Sequence, residues 1–211
     1  MKKLQYIILF LLFGQLAFAQ SVTPLSKAQS EEVAAVLIDA ATSIKTLECR
    51  FVQQKTMAML AEPTVSEGTM HYASPDRMRW EYTSPYSFAL VVNGEQITRI
   101  TEGQAEVLDS KSSMMYQGLA NIIIGSASGR NLFDKSMFDI VLYDAEALWK
   151  AEMTPKHREM KRMFAKLVFY FEKATRTIKK VDFIETGGDV TEIGFEDIKT
   201  NEEIDGKVFE Q

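Results

Sequence analysis

GTMHYASPDRMRWEYTSPYSFALVVNG, residues 68–94, alternates large apolar side chains with polar or charged ones in three short runs. In a strand, successive side chains point to opposite faces. Met78, Trp80 and Tyr82 therefore share one face, and Arg77, Arg79 and Glu81 share the other. The same alternation groups Met70 with Tyr72 on the preceding strand, and Phe88, Leu90 and Val92 on the following one. Pro75 and Pro85 bracket the middle run, Arg77 to Thr83. Asn93-Gly94, between Phe88–Val92 and Gln96–Thr101, predicts a type I′ hairpin. Three adjacent strands thus aim large side chains at a common interior. Methionine is flexible and polarizable, and Trp and Tyr offer broad apolar surface. Such a face either fills an ordinary core or lines a space for alkyl chains, and periodicity alone does not choose between them.

The two-residue period extends from Thr46 to Asp109, with a further turn at Glu102-Gly103. It resumes after residue 135, near Phe138–Tyr143, Glu146–Met153, Met163–Glu172, Arg176–Thr186 and Val190–Lys199. About eleven strands are expected in all, at spacings that suggest meandering antiparallel pairing. The polar stretch Pro155 to Arg162 reads as a loop, and Gly187-Gly188 as a turn. Two segments have a helical period instead. From Ser26 to Lys45, the side chains of Val33, Val36, Leu37, Ala40, Ala41 and Ile44 form one stripe, opposite Glu31, Glu32 and Asp39. Ser26 with Gln29 fits a capping box, with Ser30 a competing start. Ser113 to Ala127 places Met115, Leu119, Ile122 and Ile123 on one side. A large antiparallel sheet plus two amphipathic helices predicts a mainly β (α+β) fold, in which the sheet curls into an unclosed barrel lidded by the helices.

The chain's first residues carry an export pattern. Lys2 and Lys3 precede the apolar run Leu4 to Leu16, and Ala17-Phe18-Ala19 supplies a small-x-small cleavage site. The apolar run is too short for a permanent span. A signal peptide over residues 1–19 and one domain over 20–211 are therefore expected, in an exported, periplasmic protein. Gln20, not Cys, follows the cut, so the protein is not expected to be lipidated itself. The net charge is −5, and losing Lys2 and Lys3 makes it more acidic. That balance argues against a nucleic-acid partner and against attraction to anionic lipid. The single cysteine, Cys49, cannot form an intrachain disulfide and reads as a small buried hydrophobe.

Catalytic chemistry finds little to work with. Only His71 and His157 are available as imidazole bases, without metal-ligand spacing. Gly125-Ser126-Ala127-Ser128-Gly129 superficially looks like a nucleophile elbow, yet its centre is alanine and it ends a helix. No phosphate-cradling loop or dinucleotide fingerprint is present. The expectation is a binding protein without a metal, cofactor or enzymatic activity.

Several motifs then carry a resemblance in their order and spacing. Phe51-Val52-Gln53-Gln54 is followed by Gly68-Thr69-Met70-His71-Tyr72-Ala73-Ser74-Pro75, by Arg77-Met78-Arg79-Trp80, by Pro85, and by Val91-Val92-Asn93-Gly94. This resembles the LolA lipoprotein-carrier family, most clearly over Leu47 to Thr101. The resemblance implies an unclosed β-barrel whose apolar cavity holds the acyl chains of lipoproteins in the periplasm. It implies Phe51, Met70, Tyr72, Met78, Trp80, Tyr82, Phe88 and Leu90 as acyl-chain contacts, with Met115, Leu119, Ile122 and Ile123 on the lid. The implied partners are acylated lipoproteins or other amphiphiles, an inner-membrane ATP-driven release complex and an outer-membrane acceptor. A monomer needing no cofactor is expected. Each methylene moved from lipid into water costs about 0.8 kcal/mol, so two or three unshielded chains would cost on the order of tens of kcal/mol.

The sequence departs from the family pattern at one position. The family's best-known carriers place an arginine before the strand-ending proline, where it helps latch the lid; here the residue is Ser74. A hydroxyl cannot supply a guanidinium's forked donors. Arg77 and Arg79 are near enough to be gate or latch candidates, although they belong to the face opposite Met78 and Trp80. Either the latch is weaker, another residue provides it, or the cargo differs. A carrier of a glycolipid or acylated pigment, and a lipoprotein-sensing regulatory module, remain alternatives. Such sensors use an additional domain, which a chain ending at Gln211 is not expected to have.

Overall fold

Alternating burial along successive segments builds a single antiparallel sheet, seen in a computed structural model that describes residues 22–109 and 133–210. After a two-residue strand β1 (Thr23–Pro24) comes α1 (Lys27–Ser43). The strands β2 (Thr46–Thr56), β3 (Thr64–Ala73), β4 (Arg77–Ser84), β5 (Phe88–Asn93), β6 (Gln96–Thr101) and β7 (Gln104–Val107) follow as a meander. A second meander has β8 (Phe138–Ala145), β9 (Leu148–Pro155), β10 (Phe164–Glu172), β11 (Ile178–Glu185) and β12 (Val190–Thr200). The described chain closes with a 3₁₀ turn, Gly206–Phe209. The order across the sheet is β1-β8-β9-β10-β11-β12-β2-β3-β4-β5-β6-β7. β12 thus joins the two meanders by pairing with β2, with Phe195 opposite Phe51. β1 and β7 are the outer strands of this order and do not pair with each other, so the sheet is an unclosed barrel.

The sheet curls strongly. Three strand spacings of about 4.8 Å separate β12 from β4 along it. Even so, the Trp80 and Phe195 rings meet edge-to-face with centroids 6.2 Å apart. The inner face carries the core: Leu47, Cys49, Phe51, Met70, Tyr72, Met78, Trp80, Leu90, Val181, Phe183, Ile193 and Phe195 are all buried. The outer face of β9–β12 is charged. Lys150 and Lys166 bind Glu152 at 2.7 and 2.6 Å, and Lys180 bridges Asp182 at 3.1 Å and also pairs with Glu192. This division is what period-two alternation dictates in a sheet wet on one side.

Helix α1 starts as its sequence requires. Ser26 is the N-cap, its Oγ accepting from the Gln29 N–H at 3.4 Å, while the Ser26 N–H donates to Gln29 Oε1 at 3.0 Å. Leu37 and Ala41 are buried, with Val33, Ala34 and Ile44 packed against the core.

Three local expectations change. Asn93 pairs with Gln96, so the hairpin loop is Gly94-Glu95 rather than Asn93-Gly94. Of these two loop residues only Gly94 has positive φ, +63°, the signature of a type II′ turn. The type I′ pattern belongs one hairpin later, where Glu102 and Gly103 both have positive φ. The Pro155–Arg162 loop contains a short helix, α2 (Arg158–Met163), and Glu146 lies in the turn before β9. The helix expected over Ser113–Ala127 lies outside the described residues, with its Met115, Leu119, Ile122 and Ile123.

Candidate functional site: an apolar pocket under helix α1

Phe51 and Gly68 face each other across β2 and β3, and the pair organises the inner wall. The Phe51 ring lies over Gly68, where an added Cβ would sit 2.5 Å from the ring and 2.0 Å from the Glu81 carbonyl oxygen. The ring stacks on Trp80 with centroids 4.1 Å apart and meets Tyr82 edge-on at 5.2 Å. The Tyr82 hydroxyl donates to Gln53 Oε1 at 2.8 Å. Phe51-x-Gln53, Gly68 and Trp80-x-Tyr82 are therefore parts of one packing unit, which explains their spacing in the sequence.

Beside this unit is a pocket whose empty space, counting the part open to solvent at its mouth, is about 690 Å³. Leu37 and Ala41 of α1, with Ile44 at its C-cap, form its roof. Leu47 and Cys49 of β2, Met70 of β3 and Trp80 of β4 form one wall. Phe169 and Phe171 of β10, Val181 and Phe183 of β11, and Ile193, Phe195 and Ile198 of β12 form the other. At the β10–β11 turn, Arg176, Thr177 and Ile178 complete the lining. The surface is almost wholly hydrocarbon and aromatic, so what it offers a ligand is the exclusion of water. Among the described residues no group of His, Cys, Asp and Glu side chains could hold a metal ion.

Of the residues singled out in the sequence, Met70 and Trp80 line this pocket. Phe51, Tyr72, Met78 and Leu90 share the inner face but are packed core behind or beside it, with cross-strand pairs Tyr72–Met78 and Trp80–Leu90. The Tyr72 hydroxyl is buried and has no hydrogen-bond partner among the described residues. Tyr82, towards the end of β4, and Phe88, at the start of β5, are half-buried, with the Tyr82 ring against those of Tyr86 and Phe88.

Ser74 is half-buried at the end of β3. Its N–H donates to the Lys45 carbonyl at 2.7 Å, and no side-chain hydrogen bond joins it to another described residue. Arg77 and Arg79 are turned to the outer face: Arg77 lies over the Phe209 ring at 5.1 Å, and Arg79 bridges Glu81 at 2.7 Å. Neither belongs to the pocket lining. His71, on that outer face, has its pKa lowered by burial, partly opposed by Glu48.

The roof and the far wall were not singled out as site residues. Their apolar alternation was visible in the sequence, but nothing local said that residues 169–198 would face Trp80.

Cys49 offers a native probe of the pocket. It is 2% exposed, and burial, with Glu48 adding to it, pushes the thiol up to about 12 from an ordinary 9.0. Fewer than about one in a thousand folded molecules is then a thiolate at pH 8. Alkylation by N-ethylmaleimide at pH 8 should be at least about 100-fold slower in the folded chain than in urea. Because the folded pKa is raised, the associated stability is present below pH 9 and lost as pH climbs from 9 towards 12. Cys49→Ala should flatten that alkaline decline, and an unchanged decline would remove Cys49 as its cause.

The comparisons with known proteins agree with this architecture. The model of the family described as "Outer membrane lipoprotein carrier protein LolA" matches residues 42–211. An uncharacterized conserved protein from Thermus thermophilus has the same fold, with 10% identity, 87% of this chain and 94% of that chain covered, and a TM-score of 0.54. MucB matches with 11% identity over 88% of this chain and 64% of its own, with a TM-score of 0.54. A LolA superfamily protein from Nitrosomonas europaea matches with 12% identity, 84% and 97% coverage, and a TM-score of 0.46. No curated protein sequence matches the chain significantly. With the family model spanning everything from the end of α1 onwards, the chain belongs to the LolA family.

Proposed function

We propose that this protein is a periplasmic, non-enzymatic carrier that shields the acyl chains of lipoproteins in the pocket under α1 while they pass from the inner to the outer membrane. The carrying observation is the pocket itself: an apolar space roofed by one face of a helix on the inner side of an open sheet. Family membership supports the cargo class. Residues 1–19 act as the export signal, and an ATP-driven release complex and an outer-membrane acceptor are the partners at the two ends of the route. Burying each methylene restores about 0.8 kcal/mol, so a modest apolar pocket moves a lipid anchor through water without any reaction.

Displacement of the fluorescent probe 1-N-phenylnaphthylamine tests this reading. A synthetic peptide beginning with diacylglyceryl-cysteine should displace the probe, and the same peptide without its acyl chains should not. Ala41→Phe, which adds a ring to the roof, should weaken the acylated peptide's binding at least about 10-fold while leaving the fold intact by circular dichroism. Equal displacement by both peptides would overturn the reading. Mass spectrometry of material copurifying from the periplasm is the second check, where a regulatory membrane protein in place of acylated cargo would replace the carrier by a sensor.

A further inference from the structure

Among the described residues, Arg176 is the only charged one in the lining of the pocket. It sits in the tight turn between β10 and β11, with φ at +60°, and its N–H donates to the Glu172 carbonyl at 2.7 Å. The residue is exposed, and its guanidinium takes part in no ion pair, hydrogen bond or ring contact with the described residues. On the neighbouring strands and turns, by contrast, Lys150, Lys166, Lys173 and Lys180 each hold a carboxylate. The turn's own acid, Glu172, instead accepts from the Thr175 hydroxyl at 2.9 Å. Thr175 and Thr177 hydroxyls are 2.7 Å apart, and Thr177 lines the pocket next to Arg176. An uncommitted cation, flanked along the chain by Thr175 and Thr177, therefore stands where a hydrocarbon space meets water.

We infer that the pocket also takes an amphiphile with one alkyl chain and an anionic headgroup, the chain lying under α1 and the headgroup paired with Arg176. This rests on the reading of the pocket as an acyl-chain site and adds a second class of cargo to it. The acylated cysteine of a lipoprotein joins its chains through ester, amide and thioether links and presents no anionic group, so it offers this arginine only neutral carbonyl acceptors, weaker partners than an anion. A carboxylate or a phosphate accepts two parallel N–H donors from a guanidinium. At a partly exposed mouth this pairing discriminates modestly, by about five-fold, and is weakened by salt.

The experiment compares three ligands with a sixteen-carbon acyl chain as displacers of 1-N-phenylnaphthylamine at low ionic strength: palmitate, palmitoyl lysophosphatidate and neutral monopalmitoylglycerol. At least one of the two anions should bind about five-fold more tightly than the neutral lipid, the tighter one naming carboxylate or phosphate as the headgroup. Arg176→Gln should remove that preference without altering monopalmitoylglycerol binding, Arg176→Lys should keep part of it, and added salt should weaken it in the native chain and in Arg176→Lys but not in Arg176→Gln. Equal affinities in the native chain, or a preference that survives in Arg176→Gln, would overturn the headgroup assignment while leaving the pocket. Failure of all three lipids to displace the probe would overturn the pocket reading with it.

Discussion

Gly68→Ala should lose at least about 3 kcal/mol of stability, more than half the margin of a weakly stable domain. Overpacking a core usually costs about 1–3 kcal/mol because side chains at the contact can turn aside. Here the first obstacle is backbone. The new Cβ would stand 2.0 Å from the Glu81 carbonyl oxygen and 2.5 and 2.8 Å from two carbons of the Phe51 ring. Moving that carbonyl disturbs the β3–β4 ladder beside the irregularity at Glu67–Gly68. Moving the ring dismantles its 4.1 Å stack on Trp80. Urea unfolding, followed by the midpoint at constant slope, measures the loss. Gly194→Ala is the matched control: it is also a strand glycine, but the nearest atom to its added Cβ is the Val52 carbonyl oxygen at 4.0 Å. It should stay within about 1 kcal/mol of the native chain, in the range of ordinary exposed substitutions. Adding Phe51→Ala to Gly68→Ala should not restore stability, because the carbonyl clash remains. Restoration would show that the ring alone sets the constraint.

Trp80→Ala should have an effect of similar size with the opposite consequence for the pocket. Trp80 is 5% exposed, stacked on Phe51 and edge-on to Phe195 and Tyr82. Truncating an aromatic of this kind costs about 3–5 kcal/mol, part of it from the void left behind. Because Trp80 also lines the pocket, the void opens onto space that an alkyl chain can enter. The variant should therefore melt well below the native chain when empty. It should also be stabilised by acyl ligand at least as much as the native chain. Saturation at a hundred times Kd contributes about 2.7 kcal/mol. Thermal scans with and without the diacylglyceryl-cysteinyl peptide read both halves. A variant as stable as the native chain would overturn the packing role of Trp80, and one that no longer responds to the peptide would overturn the claim that its void stays open to an acyl chain.

The inner and outer faces of β2 to β5 could be read from the sequence because side-chain alternation is a property of each strand alone. The capping box at Ser26 and Gln29 was equally local, involving atoms three residues apart. The hairpin at Gly94 was visible, but its type depended on register: Asn93 spends itself on pairing with Gln96, which shifts the loop by one residue. What the sequence could not supply was the partner across the cavity. Met70 and Trp80 were identifiable as inward-facing, yet the wall opposite them comes from residues 169–198, brought round by the pairing of β12 with β2 and by the curl of the sheet. Those contacts join residues far apart along the chain, and no periodicity encodes which distant strand becomes a neighbour. The same holds for Arg176, an ordinary turn residue in sequence. Only strand order and curvature set it at the mouth of an apolar pocket, because the closing of the space is a collective result of twist and packing over six consecutive strands, from β10 to β4.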